Sequence, residues 1–295
     1  MSISEMKMRK DTERKLEAIR QAYKEEGPIT LRRAYYVLLS RGFFDLAKSR
    51  NPNHAKYVYQ SLSRLLVDCR EKGILSADVI VDREREFIKR LAFKTFDECF
   101  ADTFENYVQD SMIGQKRAVE VWIEKDTMRT TYLRDCYFND VPLVISKGFT
   151  SWTFKNEAVQ RFKNYGKPVT ILYFGDFDYE GEYIPALINE FVREHIPGLD
   201  FEFRKVLLTK EDYGRLKEYA ISFETNKKQL EKAYVRDFIA RYGAVKLEVE
   251  ALPFSEVRRR LKEELARTID LQVVSNAEGR ADKAKRAWIR RHYRA

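Results

Sequence analysis

A chain of 295 residues is long enough for two domains, and 55 Lys and Arg against 46 Asp and Glu leave it a formal charge of +9, the sign of a protein that meets a polyanion. No apolar run approaches the length of a bilayer span and no signal peptide opens the chain, so a membrane role is not expected. Cys69, Cys99 and Cys136 are scattered without paired spacing, the three histidines lie far apart and no P-loop motif is present, which fits a reducing cytoplasm and argues against a zinc site, a histidine-based mechanism and a P-loop ATPase.

The basic surplus sits at the ends: residues 1–86 hold 18 Lys and Arg against 13 Asp and Glu, residues 277–295 hold seven against two, and the middle is nearly neutral. In chain order, a charged helix over residues 12–26 stops at Gly27-Pro28. Thr30 is a fair N-cap for a second helix from Leu31 to about Arg41, ended by Gly42. A third helix spans about 54–72 and stops at Gly73, and the alternating segment 74–81 reads as a short strand or wing. Three helices and a wing with a basic surplus suggest a winged helix-turn-helix domain over residues 1–86. The third helix should bury Val58, Leu62, Leu65, Leu66 and Cys69. It should turn Lys56, Gln60 and Arg64 outward as a row facing a DNA groove, although such a face is more often only solvated.

On a wheel, the second helix places Leu31, Ala34, Tyr35, Leu38 and Leu39 on its core side. Tyr36 falls on the outer face, between Arg32, Arg33 and Ser40. Exposed tyrosines are common. The functional alternative is a nucleophile toward a DNA phosphate. A phenol is only about a thousandth ionised at neutral pH and needs help, which Arg32 would supply by favouring the phenolate or clamping the phosphate.

Residues 87–117 read as a helical connector. Phe93, Phe96, Phe100, Phe104 and Tyr107 recur at three- and four-residue steps, an amphipathic stripe expected to pack as core rather than to stack bases. From residue 118 to about 275, strands alternate with helices: strand 119–123, helix 126–138, strand 142–146, helix 151–165, strand 168–174, helix 181–195, strand 201–208, another helix and strand 245–249. That alternation indicates βαβ units and a parallel sheet, hence an α/β fold. Residues 276–295 form a basic tail with Trp288 and Tyr293, either a DNA-contacting arm or a frayed end.

The chemistry concentrates in Gly175–Ile184, GDFDYEGEYI. Asp176 and Asp178 project to one side of extended backbone at the carboxyl end of a strand, where open α/β sheets place their ligands. Two carboxylates this close repel unless a cation lies between them, and hard oxygen ligands suit Mg²⁺, although an acidic solvated turn would look the same. The strand over 119–123 likewise ends on Glu124, followed by Lys125 and Asp126, so two acidic strand ends can share a cleft.

The order strand, Glu, strand, strand, DxD resembles the Toprim domain of topoisomerases, bacterial-type primases and related nucleases. That resemblance implies Mg²⁺ held by Glu124, Asp176 and Asp178. Together with Arg32-Arg33-Ala34-Tyr35-Tyr36 upstream, and with the segments SKGF at 146–149 and KLEVEAL at 246–252, the chain resembles the type IIB topoisomerase A subunits and the Spo11 proteins over about 28–82 and 118–270. The resemblance implies that Tyr36 attacks the phosphate with Arg32 beside it, on double-stranded DNA, in a homodimer. In such a dimer one protomer's tyrosine would meet the other's metal site, with a separate B-type ATPase subunit as a possible partner. Tyr179 stands where the family often has proline, and the chain is compact for an A subunit.

The expected protein is therefore a cytoplasmic, DNA-associated enzyme that cleaves DNA by reversible tyrosine transesterification. Its site is Tyr36, Arg32, Glu124, Asp176 and Asp178, with Arg33, Lys56 and Arg64 as DNA contacts. The rival readings are a hydrolytic Toprim nuclease, in which water attacks, and a non-catalytic DNA-binding replication accessory protein.

Overall fold

The computed structural model describes residues 10–81, 91–147 and 151–292. From Lys10 the described chain forms four helices, α1 (Lys10–Glu26), α2 (Leu31–Ser40), α3 (Leu46–Ser49) and α4 (Pro52–Glu71). The capping follows the residue types. Gly27, at a φ of 77°, ends α1; the Thr30 hydroxyl accepts the Arg33 amide; Asn51 accepts the Asn53 and His54 amides at the start of α4. Leu16, Ile19, Leu38, Leu62, Leu66 and Cys69 fill the space between them, and Lys56, Gln60 and Arg64 stand exposed on α4.

The wing expected over 74–81 is not a strand. Ala77–Val79 is a short 3₁₀ turn, and Ile80 makes a single parallel bridge to Ile29, because the described backbone beside it is the four-residue link between α1 and α2.

The helix expected through the connector is shorter than its aromatic stripe. α5 (Phe96–Glu105) buries none of its residues, and Phe96 is 82% exposed. Phe100 and Phe104 instead flank Trp288, at ring distances of 5.1 and 5.6 Å. Residues 87–90 of that stretch lie outside the described residues.

The second half is built on β1 (Ala118–Ile123), α6 (Arg129–Phe138), β2 (Leu143–Ile145), α7 (Trp152–Tyr165), β3 (Val169–Phe174), α8 (Tyr179–His195) and β4 (Phe201–Leu207). The four strands are parallel in the order β2-β1-β3-β4. Every residue of β1 and β3 is buried, as central strands of a sheet covered on both faces require. One of those residues is a carboxylate. Glu120 is fully satisfied by Trp122 Nε1 (2.7 Å), Arg161 (2.9 and 3.0 Å) and the Tyr165 hydroxyl (2.9 Å).

The chain leaves β1 toward β2 on one side and returns to β3 on the other, so the strand order reverses between β1 and β3. Their carboxyl ends, with Ile123 opposite Phe174, frame a switch-point crevice.

After β4 come α9 (Lys210–Leu216), β5 (Ile221–Ser222), α10 (Lys227–Leu230), α11 (Ala233–Tyr242), β6 (Val245–Lys246), α12 (Phe254–Thr268) and α13 (Leu271–His292). The fifth parallel strand expected over 245–249 is replaced by the two-residue β6, antiparallel to β5. Leu247 then bridges antiparallel to Phe177, and a 3₁₀ turn follows at Val249–Ala251. The basic tail is not frayed through residue 292: it is the helix α13, anchored by buried Val274, Ala277 and Ala281. Among the described residues no helix is long and apolar enough to cross a membrane.

Candidate active site

Glu124 follows β1 and Asp176 follows β3, so the sheet delivers both to the crevice. Glu124 Oε2 accepts the Asp176 amide at 2.9 Å and faces the Tyr173 hydroxyl at 3.3 Å. Asp178 N-caps α8, its Oδ1 accepting the Gly181 amide at 2.8 Å. Phe177 points the other way, into a cluster with Tyr213, Phe238 and Tyr242. The alternation read from the DxD pair is therefore present, and the three acidic residues expected to act together do share one crevice.

Below the turn, Lys205 from β4 donates to the Asp176 carbonyl (2.9 Å), the Gly181 carbonyl (3.2 Å) and Glu182 Oε1 (2.6 Å). Just beyond it the β3–β4 register slips by one residue, between Tyr173 and Phe174.

The strand-like alternation of KLEVE continues the site. Leu247 and Val249 enter the core, while Lys246, Glu248 and Glu250 line the crevice. Lys246 Nζ lies 3.0 Å from Asp176 Oδ2 and 3.4 Å from Asp178 Oδ2. Lys125 Nζ lies 2.9 Å from the same Asp176 oxygen, 3.0 Å from Glu250 and 3.5 Å from Glu248. The other Asp176 oxygen accepts the Val249 amide at 3.0 Å. Sequence reasoning gave no role to Lys246, Glu248 or Glu250. The period-2 pattern, with three charged residues on one face, was the signal that could have found them.

The titration behaviour follows from these neighbours. Burial, then the Asp176 and Asp178 carboxylates, push Glu124 up to about 7. Burial acts to raise Asp176 as well, but Lys125 and Lys246 outweigh it and hold that carboxyl well below the ordinary range. Glu248 is held low in the same way, with Lys125 and Arg32 overcoming its burial, whereas burial leaves Glu250 raised.

Tyr36 is not on an outer face. It is 1% exposed, and its hydroxyl donates to Glu248 Oε2 at 3.1 Å, beside an ion pair from Arg32 to the same oxygen. The wheel assumed solvent opposite the core stripe, but the turn Val249–Ala251 packs there, so residues 33–39 of α2 are all buried. Tyr36 therefore reaches the edge of its own chain's crevice without a second protomer. Burial, then Glu248 and Glu250, raise its phenol well above the ordinary value.

Arg33 is also not available to DNA. It pairs with Glu26 at 2.5 Å, donates to the Glu250 carbonyl at 3.3 Å and lies over the Phe254 ring. Lys56 and Arg64 lie on α4 with no ion pair among the described residues, and Gly148 and Phe149 of the SKGF segment lie outside them.

The crevice encloses about 750 Å³ and is lined by Arg32, Glu124, Lys125, Lys147, Lys246 and Glu248, among others. No family model, curated protein or solved structure matches the chain.

Among the described residues no three His, Cys, Asp or Glu side chains are grouped as a ready-made metal cage. The donor set nevertheless fits Mg²⁺, which prefers oxygen, keeps several waters and takes one or two protein carboxylates. Glu124 in particular has no ammonium or guanidinium within ion-pair distance among the described residues.

Proposed function

We propose that this chain is a Mg²⁺-dependent enzyme that breaks DNA phosphodiester bonds, in keeping with its resemblance to the type IIB topoisomerase A subunits and Spo11 proteins. The observation that carries the reading is the convergence of Glu124, Asp176 and Asp178 at a sheet switch point that α2, with Arg32 and Tyr36, closes from the other side. Glu124 and Asp178 are the residues that would hold the ion, with Asp176 beside them. When bound, Mg²⁺ supplies positive charge for the phosphate and the leaving oxygen. Arg32, Lys125, Lys147 and Lys246 line the same crevice and are the cations a phosphate would meet beside the ion.

In the transesterification reading, Tyr36 Oη bonds to phosphorus as the phosphorus–sugar oxygen bond breaks, Glu248 is placed to take the phenolic proton, and the sugar oxygen leaves as a hydroxyl with a proton from solvent. This needs Tyr36 to leave its buried place beside Glu248. Duplex DNA as the substrate, a second copy to cut the second strand, and a separate ATPase subunit for strand passage belong to the same reading, as do a winged-helix N-terminal unit and a Toprim sheet unit.

A second reading, hydrolysis by water, is favoured by a specific observation: Tyr36 is buried, hydrogen-bonded and harder to ionise than a free tyrosine. Supercoiled plasmid incubated with protein and Mg²⁺, quenched in detergent and run with and without protease, separates the two. Ends released only by protease, and lost in Tyr36→Phe, establish transesterification. Protein-free ends that survive in Tyr36→Phe establish hydrolysis. Absence of breaks with and without Mg²⁺ leaves two readings, a DNA-binding protein without cleavage or an enzyme that needs an activating subunit.

A further inference from the structure

We infer that the crevice takes a single divalent ion, at Glu124 and Asp178, because Lys125 and Lys246 occupy the place that a second ion would need. The inference rests on the metal-dependent reading above and deepens it.

The charges decide the number. Glu124, Asp176, Asp178, Glu248 and Glu250 are five carboxylates, and among the described residues Lys125, Lys246 and Arg32 are the three cations within ion-pair distance of them. The remaining charges lining the crevice balance: Asp126 is paired with Arg129 at 2.7 Å, and Glu180 and Lys147 are of opposite sign. Two formal negative charges are left, the complement of one Mg²⁺.

Geometry says where. Asp176 Oδ1 accepts the Val249 amide, and its Oδ2, which has no aligned hydrogen bond among the described residues, stands 2.9 and 3.0 Å from the two ammonium groups that neutralise it. Glu248 is shared by Arg32, Tyr36 and Lys125, and Glu250 is taken by Lys125. That half of the crevice is already neutralised by groups tethered to the backbone, which no chelator removes. Among the described residues, the other half holds Glu124, with no cation within ion-pair distance, and Asp178, whose only ion-pair partner there is Lys246 at 3.4 Å. A cation arriving from solvent gains most there, since like carboxylates at close range favour whatever neutralises them.

Lys246 is thus the boundary between the two halves. Removing its charge leaves three uncompensated negative charges and frees Asp176 and Asp178 together. Lys246→Met should therefore either take up a second ion or hold the first at least tenfold more tightly, whereas Lys246→Arg should behave like the wild type.

The test is a titration with Mn²⁺ of the full chain without DNA, followed by calorimetry and by the electron spin resonance signal of the free ion, with circular dichroism to confirm that each variant is folded. One ion per wild-type chain, one in Lys246→Arg, and a second ion or at least tenfold tighter binding in Lys246→Met are the expected results. Two ions in the wild type, or a folded Lys246→Met that titrates like the wild type, overturn the inference and leave metal dependence standing. No ion in the wild type overturns the inference and the metal-dependent reading together. If Lys246→Met does not fold, Lys125→Met, which removes a cation from the same Asp176 oxygen, must show the gain, and its failure to do so overturns the inference.

Discussion

Glu124 is the residue at which the crevice is least balanced, and its protonation should be visible in the stability of the whole protein. Its carboxyl titrates near 7 when folded, whereas a free glutamic acid titrates near about 4.3. Between those values the folded chain holds a proton that the unfolded chain has lost, so the metal-free protein should lose stability as pH rises through this window. The loss is on the order of 3 kcal/mol. Asp176 acts in the opposite sense and lower down: its depressed value stabilises above the ordinary aspartate range and is lost as the solution becomes strongly acidic. Urea unfolding in EDTA at about pH 5 and about pH 8 should show the wild type weaker at the higher pH, with the fall absent in Glu124→Gln. Identical profiles for the two chains would mean that Glu124 ionises as a free side chain does. At this scale Glu124, Asp176 and Asp178 were legible, because strand-end carboxylates in a βαβ pattern have few other places to go. Tyr36 was misplaced, because a helical wheel knows the period of a helix and nothing of what covers its second face.

Among the elements, the turn from β3 into α8 has the tightest tolerance. Gly181 packs under the Asp176 carbonyl so closely that a Cβ there would collide with that oxygen. Gly181→Ala must therefore shift the turn that orients both aspartates and the Asp178 cap. The expected cost is about 1–3 kcal/mol of stability, together with a tenfold or greater loss of Mn²⁺ affinity in the same titration. Retained affinity in a folded alanine variant would show that the turn does not set the ligands. The elements also show why sequence patterns were read correctly in some places and wrongly in others. VEVWI and VTILYF are apolar runs short enough to be central strands, and they are. The segment over 245–249 alternates as a strand should, but the backbone available to it is the two-residue β5 and then Phe177, so its pairing is brief and antiparallel. In α5 the aromatic spacing is regular, yet the partner that arrives is one tryptophan from α13, too little to bury Phe96.

At the scale of the molecule, charge is distributed in two layers: an inner crevice where acids and bases nearly cancel, and an outer basic surplus on the helical end and on α13. Arg286, Arg290 and Arg291 are exposed along the last turns of α13. If these arginines touch phosphates, changing all three to glutamine should weaken duplex binding and reduce the slope of log affinity against log salt by up to about 3, roughly 0.9 per contact. Fluorescence anisotropy with a labelled duplex at several salt concentrations measures it, and an unchanged slope would remove α13 from the DNA-binding surface.

Arg32 belongs to both layers. It is half-exposed, yet it pairs with a carboxylate that is almost wholly enclosed. A phosphate that draws this guanidinium outward leaves the crevice one positive charge poorer and more receptive to a divalent ion. Thermodynamic reciprocity then requires the ion to tighten the grip on the phosphate by the same factor. In wild-type protein the two ligands should each raise the other's affinity, and in Arg32→Gln that mutual gain should shrink to the part the ion's own charge gives the phosphate.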